Sequence, residues 1–156
     1  MDQEDLVQQI IRPFKRIAKL YSELDQTTST YGTGIPLFPP EIHAITTINA
    51  HPGSSLTELS QYLDVTKGTT TKLIQKLVKK GMVVKTFAPN SENQLSLMLT
   101  SKGKIANESH TEYVAYLDQQ LIAIYQKVPS ELLPYFATVS KESEKFFKKL
   151  IKERQE

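Results

Sequence analysis

Lysines are concentrated in one short part of the chain, from Val65 to Lys85, which reads VTKGTTTKLIQKLVKKGMVVK. The stretch carries six lysines and no acidic residue, although the formal net charge of the whole 156-residue chain is only +2. Ammonium groups bind phosphate, and threonine or glutamine side chains form hydrogen bonds with base edges in a major groove. The combination indicates a surface that binds DNA, unless the lysines are only the solvated side of an amphipathic helix.

On a helix, this stretch separates its lysines from its apolar residues. The side predicted to face the core comprises Thr70, Leu73, Ile74 and Leu77. The opposite side comprises Gly68, Lys72, Gln75 and Lys79, flanked by Thr71 and Lys76. A solvated surface helix usually mixes charge signs, because Glu and Lys four residues apart stabilise it by a few tenths of a kcal/mol. This stretch has no such pair, yet periodicity alone leaves both interpretations open.

The residues before the lysine-rich stretch predict a short capped helix and a tight turn. SLTE at 55–58 fits the capping-box pattern, in which serine and glutamate side chains each accept a hydrogen bond from the other residue's backbone amide. Asp64 tolerates the left-handed backbone of a tight turn, and Thr66 can cap the next helix, which Gly81 ends. Two short helices joined by such a turn form a helix-turn-helix.

Downstream of Gly81 the hydrophobic period changes to two residues. MVVKTF and QLSLML are predicted strands of a hairpin, with Leu95, Leu97 and Leu99 on one face and APNSEN as the polar tip. Two long helices follow, one through Tyr125 and one from Ser130 to about Arg154, separated by Val128-Pro129.

The chain upstream of the helix-turn-helix predicts two more helices. Helical spacing of apolar residues runs from Leu6 to Leu24, where Pro13 is expected to cause a kink or a late start. TTSTYGTGIPLFPP is a predicted loop, and a second helix begins at Pro39 or Pro40 and ends before His51-Pro52-Gly53. The predicted fold class is therefore mainly α with a small β-hairpin.

Composition bounds the class of protein. Its size and 39% apolar residues indicate one folded domain, with or without helices that pair it with a copy of itself. The absence of cysteine excludes disulfides and thiolate metal sites. An acidic N-terminus and no apolar run of about 18 residues predict a cytoplasmic protein without a membrane span. No catalytic motif is evident, so we expect no enzyme and no cofactor.

The order helix, loop, helix, helix-turn-helix, hairpin and two long helices resembles the MarR family of winged helix-turn-helix transcription regulators nearly end to end. The motifs that carry the resemblance are SLTELSQYLDVTKGTTTKLIQKLVKKGMV and LMLTSKGK. The resemblance implies a homodimer whose first and last helices interlock and whose two recognition helices enter successive major grooves of an operator. It implies three parts: a dimerisation helix and loop at 1–36, a DNA-binding lobe at 37–101 and dimerisation helices at 102–156.

The resemblance also assigns DNA-facing residues. In the recognition helix these are Thr66, Lys67, Gly68, Thr69, Thr71, Lys72, Gln75 and Lys76. The family's wing commonly carries Asp-x-Arg, but this chain has Ser91-Glu92-Asn93, so Asn93 is the wing residue expected to reach a minor groove without bringing a charge. A second departure is Phe38, where the family usually has a capping threonine or serine that Pro39 is expected to replace.

Exposed apolar residues are expected to form the dimer interface. They are Leu6, Ile10, Phe136, Phe146, Phe147 and Ile151. The last helix has more apolar surface than its own chain can bury, which favours an obligate dimer.

A small-molecule effector is expected in a cleft near the dimer helices, on residues Tyr21, His43, His110 and Tyr113. Some zinc-responsive members of the family use histidines near positions 43 and 110, but neither histidine has a His, Asp or Glu three or four residues away. The alternative is that both histidines are hydrogen-bonded where helices meet.

The sequence thus predicts a DNA-binding repressor whose affinity an effector modulates. An effector that changes the spacing of the two recognition helices would prevent both from matching half-sites about 34 Å apart. Two alternatives remain: a winged-helix module that binds a protein through the lysine face, and a metal-responsive regulator that uses His43 and His110.

Overall fold

The protein is mainly helical in a computed structural model that describes residues 2–88 and 91–155, apart from the side chain of residue 92. The helices are α1 (Gln3–Asp25), α2 (Pro39–Ala50), α3 (Leu56–Tyr62), α4 (Lys67–Lys79), α5 (Ser101–Tyr125) and α6 (Leu133–Gln155), and the strands are β1 (Val83–Ala88) and β2 (Ser91–Leu99). This order confirms the predicted fold class. The chain divides into two compact units, residues 1–112 and 113–156.

The core of residues 1–112 is formed by α2, α3, α4 and the hairpin. Its fully buried large side chains are Leu37, Ile42, Ile45, Ile48, Leu59, Ile74, Leu77, Met82 and Leu97. Burial of one such side chain stabilises the fold by about 1.5 to 3 kcal/mol. The predicted inner side of the lysine-rich helix is confirmed, because Thr70, Ile74 and Leu77 are buried and Leu73 packs against the same cluster.

The predicted caps and turn of the helix-turn-helix are confirmed. Ser55 Oγ accepts a hydrogen bond from the Glu58 amide at 3.2 Å, and Glu58 Oε2 accepts one from the Ser55 amide at 2.8 Å. Asp64 has a φ of +52°, the left-handed conformation expected for the turn. Thr66 Oγ1 accepts from the Thr69 amide at 3.2 Å and caps α4, while Gly81, with a φ of +72°, follows the end of this helix.

The hairpin is antiparallel, with Val83 opposite Leu99 and a register shift between Phe87 and Ala88. The predicted tip was too long, because β2 begins at Ser91 and includes Asn93. Backbone pairing does not require apolar side chains, so the polar letters SEN concealed the start of the strand. The rest of the expected tip, positions 89 and 90, lies outside the described residues. Burial decreases outward along β2, from 0% exposure at Leu97 to 37% at Leu95.

The base of the hairpin is joined closely to α5. Thr100 Oγ1 donates to the Gly81 carbonyl at 2.6 Å and accepts from the Gly103 amide at 3.0 Å, so it caps α5. A Cβ atom at position 103 would lie 2.1 Å from the Met82 carbonyl oxygen. Only glycine allows this approach, which explains its place in the LTSKGK motif.

Helices α1 and α6 have no buried residue within their own units. Helix α1 begins at Gln3, where Asp2 Oδ1 accepts from the Asp5 amide at 2.7 Å, so the expected late start at Pro13 is wrong. In the second unit, Ser130–Leu132 forms a 3-10 turn before α6, so the last α-helix begins three residues later than predicted. No helix within the described residues is long and apolar enough to cross a bilayer.

Candidate nucleic-acid interface

The outer face of α4 presents the predicted polar and basic residues on one surface. Exposed residues on it and at its cap are Thr66, Lys67, Gly68, Thr69, Lys72, Gln75 and Lys76, whereas Thr71 is half-buried. The apolar side of the same helix holds this face outward, since Ile74 and Leu77 are fully buried. The surface can therefore contact a polyanion without rearrangement of the helix.

The lysines of α4 differ from those of an ordinary solvated helix. On α6, lysines form ion pairs within the helix, with Glu142, Glu144 and Glu153 as their partners. Helix α4, which is described throughout, contains no acidic residue. Its exposed ammonium groups therefore lack the local counter-charges that α6 provides, and this favours a phosphate partner.

Threonine hydroxyls at the start of α4 are already used within the helix. Thr71 Oγ1 donates to the Lys67 carbonyl at 2.9 Å, and Thr66 Oγ1 and Thr69 Oγ1 lie 2.9 Å apart. A hydroxyl that donates still has acceptor capacity, so Thr71 can accept from a base amino group. A Cβ atom at Gly68 would meet nothing within 4 Å, and the surface is open there.

Lys80 departs from the expected pattern. Its ammonium nitrogen lies 2.7 Å from Glu41 Oε2 and 2.8 Å from the Pro36 carbonyl oxygen. One of the six lysines of the basic stretch is thus used inside the protein. Helical periodicity could not show this, because Glu41 is 39 residues away in sequence.

An open groove of about 450 Å³ lies between the last turns of α4 and strand β1. Gln75 and Val78 line it from the helix, and Val84 and Lys85 line it from the strand. Lys85 is exposed and was not among the predicted DNA contacts. Its position as the last lysine of the basic stretch was the available signal.

The wing carries little charge, as predicted. From Val83 to Leu99 the sequence has one lysine and one glutamate, the latter being residue 92, whose side chain is not described. Asn93 is exposed on β2, and its amide lies 3.4 Å from Ser91 Oγ. Phe87 is 65% exposed and stands opposite Leu95 in the register.

The missing cap residue at the start of α2 is replaced by a carboxylate. Phe38 provides no side-chain hydrogen bond, but Glu41 Oε2 accepts from the Phe38 amide at 2.8 Å. Pro39 occupies the first turn, as the sequence predicted.

His110 lies against the loop that precedes α2. Its ring contacts the Tyr31 ring edge-to-face, with centroids 5.4 Å apart, and its buried Nδ1 has no hydrogen-bond partner among the described residues. The interpretation that both histidines are hydrogen-bonded is therefore wrong for this atom. Burial lowers the pKa of His110, the nearby His43 lowers it further and Asp25 opposes the shift.

The other candidate effector residues are not enclosed. His43 is exposed on α2, and Tyr21 is 61% exposed on α1. Tyr113, which is 39% exposed, belongs to the second compact unit. Among the described residues, no group of three His, Asp or Glu side chains is arranged to hold a metal ion.

The expected dimer residues are exposed apolar side chains. On α1, Leu6 is 49% and Ile10 is 58% exposed. The corresponding residues of α6 are Phe136, Phe146, Phe147 and Ile151, each between 42% and 57% exposed.

Sequence comparison relates the middle of the chain to one family. A sequence profile of the MarR family matches residues 37–92, which contain α2 to the start of β2. An HTH-type transcriptional regulator of Bacillus subtilis (strain 168), YhjH, is 22% identical over 114 residues. The match covers 73% of this chain and spans 65% of the length of that relative.

Comparison with solved structures shows the same fold. The zinc-responsive MarR family member ZitR of Lactococcus lactis is 17% identical, with a TM-score of 0.71 over 90% of this chain and 99% of that one. Streptococcus pneumoniae FabT in complex with DNA is 18% identical, with a TM-score of 0.64 over 96% and 99%. Staphylococcus aureus MarR in complex with salicylate and kanamycin is 20% identical, with a TM-score of 0.63 over 94% and 95%.

Proposed function

The chain belongs to the MarR family of winged helix-turn-helix transcription regulators, and we propose that it binds operator DNA through α4 and represses transcription. The observation that carries the proposal is the exposed face of α4, where lysines without acidic neighbours surround small hydroxyl and amide side chains. Lysine neutralises phosphate, while threonine and glutamine can read base edges. A DNA-binding regulator acts where the chromosome is, so the proposal includes a cytoplasmic location and no enzymatic activity.

We propose that the working unit is a homodimer. A recognition helix alone reads only a few base pairs, and two-fold symmetry places a second helix one helical turn of DNA away, about 34 Å. The exposed apolar residues of α1 and α6 support this assembly, because apolar surface of this kind needs a partner. Residues 1–36 and 102–156 would then serve dimerisation, and residues 37–101 would bind DNA.

We also propose that a small molecule modulates the affinity for DNA. Tyr21, His43, His110 and Tyr113 are the residues assigned to its site, and the unpartnered Nδ1 of His110 supports this assignment for one of them. The S. aureus relative was solved with salicylate, a compound that such polar aromatic surroundings could bind. A coupling free energy of about 1 to 3 kcal/mol between effector and DNA would suffice for regulation.

Fluorescence anisotropy on a duplex selected by the protein from a random pool, and on an unselected duplex of equal length, tests DNA binding. We expect log K to fall linearly with log salt, with a slope of about 0.9 for each neutralised phosphate. Replacement of Lys72 and Lys76 by Ala should weaken binding to both duplexes and reduce the slope by about 0.9 for each lysine lost.

The matched control replaces Lys141 and Lys152 by Ala, two exposed lysines of α6. This control changes the net charge equally and should leave the salt slope unchanged. Absence of binding at low salt would contradict the proposed function. A slope that Lys72 and Lys76 do not affect would show that another face binds DNA.

A further inference from the structure

Lys80 joins the C-terminal end of α4 to the beginning of α2. Its ammonium group contacts Glu41 Oε2 at 2.7 Å and the Pro36 carbonyl at 2.8 Å, and lies 5.2 Å from the centre of the Phe38 ring. The Lys80 amide donates to the Lys76 carbonyl at 2.9 Å, so the residue still belongs to the last turn of the helix. Three fixed partners on one side and the helix backbone on the other restrain this end of α4.

The pair is mostly removed from water. The Glu41 side chain is 4% exposed and the Lys80 side chain is 24% exposed. Loss of hydration offsets much of the Coulomb attraction in such a pair, and apolar residues of similar volume often stabilise a fold as well or better. Stability alone is therefore a poor reason for this pair.

Geometry provides a better reason. The remaining attachment of α4 is mainly apolar, through Ile74 and Leu77, and apolar contacts have little directional preference. Glu41 Oε2 accepts from both Lys80 and the Phe38 amide, so the carboxylate is itself held in place. Charge-assisted hydrogen bonds define direction, and base readout requires side chains placed to within about 0.5 Å.

We propose that the Lys80–Glu41 pair positions α4 for base readout and so sets sequence specificity, while the exposed lysines set general DNA affinity. The inference rests on the proposed function. Lys80 is a positioning residue, since its ammonium group is engaged with Glu41 and Pro36 instead of DNA. Its removal should consequently leave the salt slope of binding unchanged.

The test is a double variant, Glu41→Leu with Lys80→Met, which replaces both charges by apolar side chains of similar size. We expect its Tm to equal or exceed that of the wild type. Its affinity for the duplex selected by the wild type should fall roughly tenfold, the loss of about one good base contact. Its affinity for the unselected duplex should not change. Lys80→Arg, which keeps the charge, should retain at least part of the specificity.

Hydrogen exchange of the Lys80 and Gly81 amides gives a second reading that needs no DNA. We expect faster exchange at both amides in the double variant than in the wild type, without faster exchange in the middle of α4. If the double variant does not fold, Glu41→Gln carries the same two measurements.

Unchanged specificity together with unchanged exchange would overturn the inference. If the wild type itself does not distinguish the two duplexes, sequence-specific regulation fails, and the exchange result alone then decides whether the pair restrains α4. An equal loss of affinity for both duplexes would also overturn it, because that result would assign Lys80 to general DNA binding.

Discussion

At the scale of single residues, Gly103 is the clearest case of a position that admits one side chain. A Cβ atom there would lie 2.1 Å from the Met82 carbonyl oxygen, which is backbone and cannot move independently. Gly103→Ala should lower the free energy of unfolding by at least about 2 kcal/mol, within the range for overpacking. Thermal or denaturant unfolding measures this change.

Gly68→Ala is the matched control, because a Cβ there meets nothing within 4 Å. Alanine inside a helix is favoured over glycine by about 0.5 to 1 kcal/mol, so this variant should be more stable than the wild type. Equal stability of the two variants would contradict the close approach at Met82.

Glu58 links the helix cap to pH. Hydrogen bonds from the backbone and side chain of Ser55 lower the pKa of Glu58 below its model value of 4.5. The ionised carboxylate therefore stabilises the fold above the unfolded-state value, and this contribution is lost as pH falls through the lower folded-state value. Denaturant unfolding from pH 6 down to about pH 3 should show a smaller loss for Glu58→Gln than for the wild type.

His110 has the opposite electrostatic problem, since its environment disfavours the charged ring. Burial and His43 lower its pKa below 6.5, so the unfolded chain binds more protons near that pH. Stability should therefore decrease as pH falls through 6.5 and level off below the folded-state pKa. NMR titration should show the pKa of His110 rise in His43→Gln and fall further in Asp25→Asn. No response to either substitution would show that burial alone sets the shift.

At the scale of elements, the wing is the part where this chain departs from its family's usual pattern. Asn93 is exposed on β2 but brings no charge to DNA. Asn93→Arg should tighten DNA binding and steepen the salt slope by about 0.9 for each arginine that reaches a phosphate. Asn93→Gln is the neutral control, measured by the same anisotropy titration. An arginine without effect would mean that the wing stays away from DNA.

Local signals explain why most elements could be predicted from the sequence. The caps at Ser55 and Thr66 and the turn at Asp64 involve partners only two to four residues apart, so their chemistry is visible in a short window. The start of β2 was missed because its first residues are polar and pair only through the backbone. The approach of Gly103 to Met82 depends on how two elements pack, which periodicity does not contain.

The candidate site divides in the same way. The exposed face of α4 follows from helical periodicity and was predicted residue by residue. The role of Lys80 was not, since its partner Glu41 is 39 residues earlier and no short pattern relates the two. The unpartnered Nδ1 of His110 was missed for the same reason, because burial of one ring atom depends on the surrounding elements.

At the scale of the whole molecule, dimerisation should depend on exposed apolar residues near the two ends of the chain. Ile10→Asp and Phe146→Asp each place a charge on a side chain that is 58% or 57% exposed. In the proposed interface such a charge would lose hydration, so sedimentation should show dissociation to monomers. Ser140→Asp, an equal charge change on an exposed polar position of α6, should remain dimeric. Dimers in all three variants would exclude these surfaces from the interface.

The absence of arginine from α4 has a physiological consequence. If Lys67, Lys72 and Lys76 of both protomers each neutralise one phosphate, the logarithmic salt slope is about −5.4, and doubling intracellular potassium lowers operator affinity about 40-fold. Water loss from the cell alone would then release the promoter. Such a regulator would report osmotic stress as well as its effector, and its target genes would respond to drying or salty surroundings before any inducer arrived.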